Sequence, residues 1–362
     1  MAFNDDDFEI ENMQEGEEPR LGSDGQLHEH FRFSVPEGKK LVRIDKFLVG
    51  VMPHVSRNRI QMAAECNSIL ANGKPVKSSY KVKPFDEISV MLAYPPAEFE
   101  IVPQDIPIDI VYEDKDIILV NKQPGMVVHP GFGNFQGTLL NALAWHLKDD
   151  PDFDSSDPRL GLVHRIDKDT SGLLIIAKNE DAKSHLGKQF FNKTTQRTYN
   201  ALVWGNVEED EGTVDADLAR DPKDRMLFTT FPNGENPSAK HAVTHYKVLE
   251  RFGYCTLVEC KLETGRTHQI RVHMKSIGHT LFADDRYGGL EILRGERTSK
   301  YRQFVQNCFA LCPRQALHAK TLGFVHPRTE EEMFFDSNIP YDMHALLEKW
   351  RAFYKEMLNK ER

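Results

Sequence analysis

The sequence predicts an α+β protein in which a small basic module precedes one large domain built on a mixed, mostly antiparallel sheet. Three observations carry this. From residue 108 onward, strand-like runs (IPIDIVYED, IILVNK, GLVHRI, GLLIIAKN, TYNALVWG, VTHYKVLE, YCTLVECKLE, ALHAKTLGFV) are joined sometimes by turns and sometimes by helical stretches. That irregular order argues against a repeating βαβ wheel. Residues 39–93 have their own helix, turn and strand signals and their own charge balance. A length of 362 residues suits two or three domains, and 40% hydrophobic residues are enough to fill their cores.

Residues 1–35 are expected to form a disordered acidic tail. Residues 1–30 hold ten acidic side chains and one basic one, Arg20, which accounts for the whole formal net charge of −9. Apolar positions there show no period, so little could be buried. A solvating tail is the plain reading; a mimic of RNA that covers a basic surface is the functional one. The start lacks the basic residues and apolar run of a secretory signal, and no stretch of about 20 residues is apolar enough to cross a bilayer. A cytoplasmic, non-membrane protein is expected. Five cysteines fit reduced thiols. A zinc site from Cys255, Cys260, Cys308 and Cys312 is disfavoured, because an offset of five on a predicted strand puts Cys255 and Cys260 on opposite faces.

Residues 39–93 carry the basic module. Ile44, Phe47, Leu48 and Val51 recur at helical spacing. Ser56 can cap a second helix, SRNRIQMAAE. Asn72-Gly73 makes a turn, and EISVML alternates like a strand. Over residues 31–93 eleven basic groups face five acidic ones, while residues 94–362 carry 34 against 40. Two helices and a small sheet with basic helix starts predict an RNA-binding surface, with Arg43, Lys46, Arg57 and Arg59 as its phosphate contacts. Their pattern resembles the alpha-L RNA-binding module.

Residues 94–107, with four prolines, read as a linker before a domain at 108–362. Helical signals fall in TLLNALAWHLK, EDAKSHLGKQFFNK, THQIRVHMKSIG and YDMHALLEKWRAFYKEML. No phosphate-loop motif occurs, and the glycines of GFGNFQG are misplaced by one residue for a dinucleotide fingerprint.

Three segments hold the chemistry. GLVHRIDKDTSGLLIIAKN (161–179) sets a polar core between two strand-like runs. A hairpin turn explains Asp, Thr, Ser and Gly there. It does not explain so dense a group of ionisable residues. In LETGRTHQIRVHMKSIGH (262–279), Thr267 can cap a helix whose stripe Ile270, Met274 and Ile277 faces inward, with Gly278 ending it. Arg271 then lies at the core's edge, where a guanidinium should meet a carboxylate. His268 and His273, five apart, do not share a helical face and make poor joint metal ligands. In RTYNALVWG (197–205), Tyr199 alternates with Ala201 and Val203, as an ordinary core tyrosine would.

Together NKQPGMVVHPG (121–131), HRIDKDTSGLL (164–174), RTYNALVWG, ETGRTHQIRVHM (263–274) and RQALHA (314–319) resemble the RluA-type family of RNA pseudouridine synthases. The order of segments is similar to the RluD subgroup, which acts on large-subunit ribosomal RNA. The resemblance implies isomerisation of uridine to pseudouridine, in which the glycosidic bond breaks, the uracil turns, and its carbon 5 joins the anomeric carbon. No atoms are gained and no redox occurs, so neither cofactor nor metal is implied. It makes Asp167 the catalytic aspartate, Arg271 its guanidinium partner with Arg266 as the fallback, and Tyr199 the residue beside the detached uracil. Arg165 takes the space that the flipped base vacates, and His164 and Thr170 shape the loop.

The implied partner is structured RNA, ribosomal before transfer RNA, bound by a monomer. Two other readings stay open: a ribosome-associated RNA-binding protein on a synthase scaffold, and a glycoside-cleaving hydrolase using Asp167 and Asp169.

Overall fold

A computed structural model of the chain describes residues 28–36, 41–52, 57–92, 101–130, 134, 136–150, 161–224 and 227–360. It divides into two compact units, residues 1–100 and 101–362. Most of the expected acidic tail, and Ser56, lie outside the described residues.

The first unit is built from β1 (His28–Ser34), β2 (Val42–Arg43), α1 (Ile44–Val51), α2 (Arg57–Glu65), β3 (Ile69–Ala71), β4 (Lys74–Pro75), β5 (Lys81–Val82) and β6 (Glu87–Leu92). Its main sheet runs β1-β6-β3-β4, and β2 pairs with β5. The expected boundary of the tail at residue 35 is corrected here: His28–Ser34 pairs antiparallel with the predicted strand EISVML. Composition missed it because an edge strand needs only one apolar face, supplied here by Phe31 and Phe33. Ile44, Phe47 and Leu48 of α1 are buried, at the predicted helical spacing, against Ile60, Ile69, Val82, Ile88 and Val90. Val51 of that stripe is exposed.

The second unit contains β7 (Ile110–Glu113), β8 (Ile117–Lys122), α3 (Leu139–His146), β9 (Ser171–Ala177), α4 (Glu180–Phe191), β10 (Gln196–Trp204), β11 (Glu211–Asp215), β12 (Asp217–Arg220) and β13 (Phe228–Phe231). It continues with β14 (Val243–Arg251), β15 (Cys255–Leu262), α5 (Gln269–Ser276), α6 (Ser299–Leu311), β16 (Leu317–Val325), β17 (Glu332–Asp336) and α7 (Tyr341–Lys360). One sheet runs β11-β14-β15-β10-β16-β9-β8-β7, with β17 also on β16. Every pairing in it is antiparallel except β9 with β16, which is the mixed sheet that the strand pattern predicts.

Side-chain chemistry starts the helices. The Thr138 hydroxyl and the Asn141 side chain cap α3 reciprocally, Asn179 caps α4, and Thr298 caps α6. Helix α6 is absent from the predicted elements, although Tyr301, Val305, Cys308 and Phe309 make a buried stripe. Helices α6 and α7 pack with β10 and β15 around Trp204, Phe282, Phe309 and Trp350. Trp350, Leu346 and Met343 anchor α7 there. Truncating one buried tryptophan of this kind costs about 3–5 kcal/mol. Cys255, Cys308 and Cys312 belong to this cluster, while Cys260 is buried on the other strand parity, so the four do not gather.

The expected linker is shorter than predicted. Ile101 is buried, the Val102 carbonyl accepts from the Asn141 amide, and the Gln104 N–H donates to the Asn141 carbonyl. Residues 101–107 are therefore part of the second unit's surface, because their backbone polar groups find partners on α3.

Candidate active site

The segment 161–170 approaches β9 without becoming a strand of it. Leu162 makes a single bridge to Ile176, and the Ile175 N–H donates to His164 Nε2 at 3.1 Å. The predicted strand GLVHRI is thus corrected to an irregular segment: a side chain takes the backbone donor that a strand partner would use. Past it, the Thr170 N–H closes a turn onto the Asp167 carbonyl at 3.1 Å. Gly172 lets β9 and β16 meet closely; a Cβ there would lie 2.2 Å from the Ala319 carbonyl oxygen, at a φ of +114°.

Buried cations hold this turn. Lys122, at the end of β8, donates to the carbonyls of Gln123, Met126 and Lys168 at 2.8, 2.9 and 2.8 Å. Three acceptors match the three N–H donors of an ammonium. Burial pushes its pKa down to about 7, against the pull of Asp167 and Asp169. Arg314 donates to the Asp169 carbonyl at 2.9 Å and grips both Asp342 carboxylate oxygens, at the start of α7, at 2.7 and 3.0 Å. The packing of α7 on the core thereby reaches this turn. His318 joins Ser171 to Ser337.

Asp167 meets Arg271 at 3.0 Å, although 104 residues separate them. Arg271 is 4% exposed, and its other nitrogens go to Asp284, which is fully buried, at 2.7 and 2.9 Å. Its flat face lies 4.9 Å from the Tyr287 ring centre. Arg266, the fallback partner, donates to the His241 carbonyl. Burial opposes ionisation of Asp167, but neighbouring groups, Arg271 and Arg165 among them, outweigh it and hold the carboxyl below its ordinary value. His268 itself is driven by burial to a pKa of about 3. It is neutral at pH 7, which leaves Arg271 and Arg165 as the charges acting on Asp167.

Helix α5 starts later than predicted. Its first flanking residue is His268, at φ 55° and without a side-chain cap, in place of Thr267. The Gln269 side chain does the holding instead, donating to the Val243 carbonyl and accepting from the Thr264 hydroxyl and the Arg266 N–H. Non-glycine residues avoid the left-handed region by about 1–2 kcal/mol. The 2.8 Å contact between His268 Nδ1 and the Tyr287 hydroxyl helps to hold this conformation. Ile270 and Met274 are buried as expected, whereas Ile277 is 38% exposed, because the shortened helix turns it outward. His273 bonds Thr244 and the Ala216 carbonyl, so the two histidines face different partners.

Tyr199 lies on β10, opposite Cys260 of β15 and Ala319 of β16, and is 7% exposed. Burial raises its hydroxyl pKa, and the Asp167 charge raises it further against the effect of Arg197. Asp114, Asp116 and His326 form the one metal-like cluster among the described residues. Its carboxylates are already engaged, Asp114 by Tyr112, His326 and two backbone N–H groups, and Asp116 by Arg328 and Asn179.

In the small unit, Asp45 is fully buried and binds Arg43, Arg57, Gln61 and the Lys46 N–H. Burial raises its pKa, but these donors, led by Arg43, bring the net value well below the ordinary carboxylate range. Arg43 and Arg57, expected as phosphate contacts, are each half-exposed and also neutralise this buried carboxylate. Lys46 is exposed, and the side chain of Arg59 lies outside the described residues.

Sequence reasoning missed Asp284, Tyr287, Lys122 and Arg314 as site-forming residues. Lys122 and Arg314 lie within the resembling segments NKQPGMVVHPG and RQALHA. Nothing local distinguishes Asp284 from Asp285 beside it.

Comparison with known proteins identifies the family. Residues 116–276 match the RNA pseudouridylate synthase family and residues 42–88 the S4 domain. An uncharacterised RNA pseudouridine synthase of Chlorobaculum parvum is 46% identical over 312 residues, covering 86% of this chain and 94% of that protein. Ribosomal large subunit pseudouridine synthase D of Escherichia coli is 40% identical over 325 residues, covering 89% and 95%. The solved structure of human RNA pseudouridylate synthase domain containing 4 has the same fold, with a TM-score of 0.54 and 24% identity over 67% of this chain and 93% of that one. The chain belongs to the RluA-type family of RNA pseudouridine synthases, isomerases that act on RNA.

Proposed function

We propose that the chain converts specific uridines of large-subunit ribosomal RNA to pseudouridine, with Asp167 as the catalytic carboxylate. The observation that carries this reading is the 3.0 Å contact between Asp167 and an Arg271 already bound by Asp284. A carboxylate in that setting is ionised at neutral pH, at a fixed angle, and only 20% of its side chain is open. Such a group attacks the sugar or takes its proton as the glycosidic bond breaks. The uracil then rotates beside Tyr199, carbon 5 bonds to the anomeric carbon, and the carbon 5 proton leaves while the freed nitrogen 1 takes one up. Product and substrate are isomers, so the residues have only to position, exclude water and move protons. The target base has to leave its stack, which costs a few kcal/mol, less in a loop than in a duplex.

The S4 domain supplies an RNA-binding surface separate from the chemistry. Ribosomal RNA is favoured as substrate by relatives such as the Escherichia coli protein, whose name specifies the large ribosomal subunit. Deleting the gene and mapping pseudouridines in ribosomal and transfer RNA tests the assignment. Loss of large-subunit sites is expected; loss confined to transfer RNA would refute the ribosomal assignment, and no loss would refute the activity.

A further inference from the structure

Two residues before Tyr199, strand β10 carries a second cation, Arg197. It is 8% exposed, and among the described residues no oxygen accepts a hydrogen bond from its guanidinium. Its Nε is buried and unpartnered. The guanidinium lies over the Phe190 ring, 5.2 Å from Cζ to the centroid. The His164 ring stacks on that same ring, with centroids 4.4 Å apart at 20°. Because His164 Nε2 accepts from the Ile175 N–H, the ring proton is on Nδ1, and Nδ1 is buried without a partner. Two donors on one aromatic ring thus lack acceptors within the described chain.

Native proteins satisfy buried polar groups, and a buried cation is costly without a counter-charge. The missing partner has to be an acceptor, and it has to be negative, since a neutral carbonyl would satisfy His164 but leave the Arg197 charge unbalanced. A planar guanidinium suits a phosphate in particular. Gly265, four residues ahead of α5, passes close to the guanidinium: a Cβ there would lie 3.1 Å from Arg197 Nη1. Arg197 is also close enough for its charge to act on Tyr199.

We propose that Arg197 and His164 form the receptor for one backbone phosphate of the substrate RNA, beside the nucleotide presented to Asp167. This rests on the proposed function, since it supplies an anchor for the same RNA strand.

The test compares wild type, Arg197→Met, Arg197→Lys and Gly265→Ala on an unmodified transcript of large-subunit ribosomal RNA, with binding followed across salt concentration. Arg197→Met is expected to weaken binding about tenfold and to flatten the slope of log affinity against log salt by about 0.7, the share of one single-strand phosphate. KM should rise more than kcat falls. Arg197→Lys should keep most of the slope. A methylphosphonate scan should find one linkage whose neutralisation weakens wild type but not Arg197→Met.

An unchanged slope, or no such linkage, overturns the proposal. If Arg197→Met fails to fold, Gly265→Ala decides: crowding Nη1 should weaken binding, and unaltered binding refutes the receptor. Wild type that forms no pseudouridine in either ribosomal or transfer RNA transcripts overturns the functional reading as well, whereas active wild type with an unmoved slope overturns this inference alone.

Discussion

Asp284 holds Arg271 through two nitrogens, at 2.7 and 2.9 Å, and leaves it one more, Nη1, to offer Asp167 at 3.0 Å. The fully buried carboxylate of Asp284 therefore sets the angle at which the guanidinium meets the partly buried one of Asp167. It also shares the charge, so Asp167 does not face an uncompensated cation.

Asp284→Asn should consequently reduce kcat about tenfold to a hundredfold through misplacement of Arg271. It should also cost about 3 kcal/mol of stability, as breaking a buried pair does. Its acid limb is expected to move to lower pH, because the undivided Arg271 charge then favours the Asp167 carboxylate. A limb that stays in place would mean that Asp284 is only structural.

Arg271→Met should move that limb the other way. Asp167 lies below its ordinary pKa of 3.8 despite burial. Without Arg271, burial dominates and its pKa rises, so activity is lost at a higher pH as pH falls. Arg271→Lys should lose about a hundredfold in kcat, since an ammonium cannot bridge two carboxylates in one plane. Asp167→Asn should abolish product while RNA affinity stays within about threefold of wild type. Single-turnover assays from pH 4 to 8 on the same transcript test all three variants.

The small unit separates two uses of positive charge. Lys46→Gln should flatten the salt slope of RNA binding by about 0.7–0.9 with stability unchanged, since one phosphate is then no longer neutralised. Arg57→Gln should cost about 1 kcal/mol, because it strips a donor from Asp45 but from a half-exposed position. Thermal melts beside salt titrations distinguish the two, and equal melting losses would refute the division.

Acid should destabilise the fold through its buried histidines. Burial holds both His273 and His318 at a pKa of about 4, below the ordinary 6.5. Between those values the unfolded chain binds protons that the native state does not, so stability falls as pH falls from about 6.5 towards 4. Each contributes up to about 2 kcal/mol of that loss at pH 5. Melting wild type and His273→Gln at pH 7 and pH 5 should show a smaller drop for the variant.

Gly172→Ala should be among the most damaging small substitutions. Its Cβ would meet backbone at 2.2 Å where β9 joins β16, so neither strand can yield cheaply. A loss of about 3 kcal/mol or more is expected, or failure to fold. Soluble expression and melting temperature measure it.

Local pattern was enough for much of this protein. Ile44, Phe47 and Leu48 announced α1 by their spacing, Ile117–Val120 and Leu173–Ala177 announced buried strands, and HRIDKDTSGLL with GRTHQIR announced the reaction class. Those signals are short-range, since a helix face, a strand or a catalytic turn is written within a dozen residues. Boundaries were less legible: His28–Ser34 looks like acidic tail until β6 pairs with it, and Thr267 is the better cap by chemistry but loses to the Gln269 side chain.

Tertiary structure alone decided which charges meet. Composition placed Arg43 and Arg57 on an RNA surface, but Asp45 sits where both can reach it. Arg271 asked for a carboxylate, and the fold supplied two, Asp167 from 104 residues upstream and Asp284 from 13 residues downstream. Partner choice among charges depends on distance and burial in space, which one-dimensional spacing does not encode. The sequence therefore determined the fold class and the chemistry of the turn, while packing of α5 and the Asp284 segment around that turn decided its electrostatics.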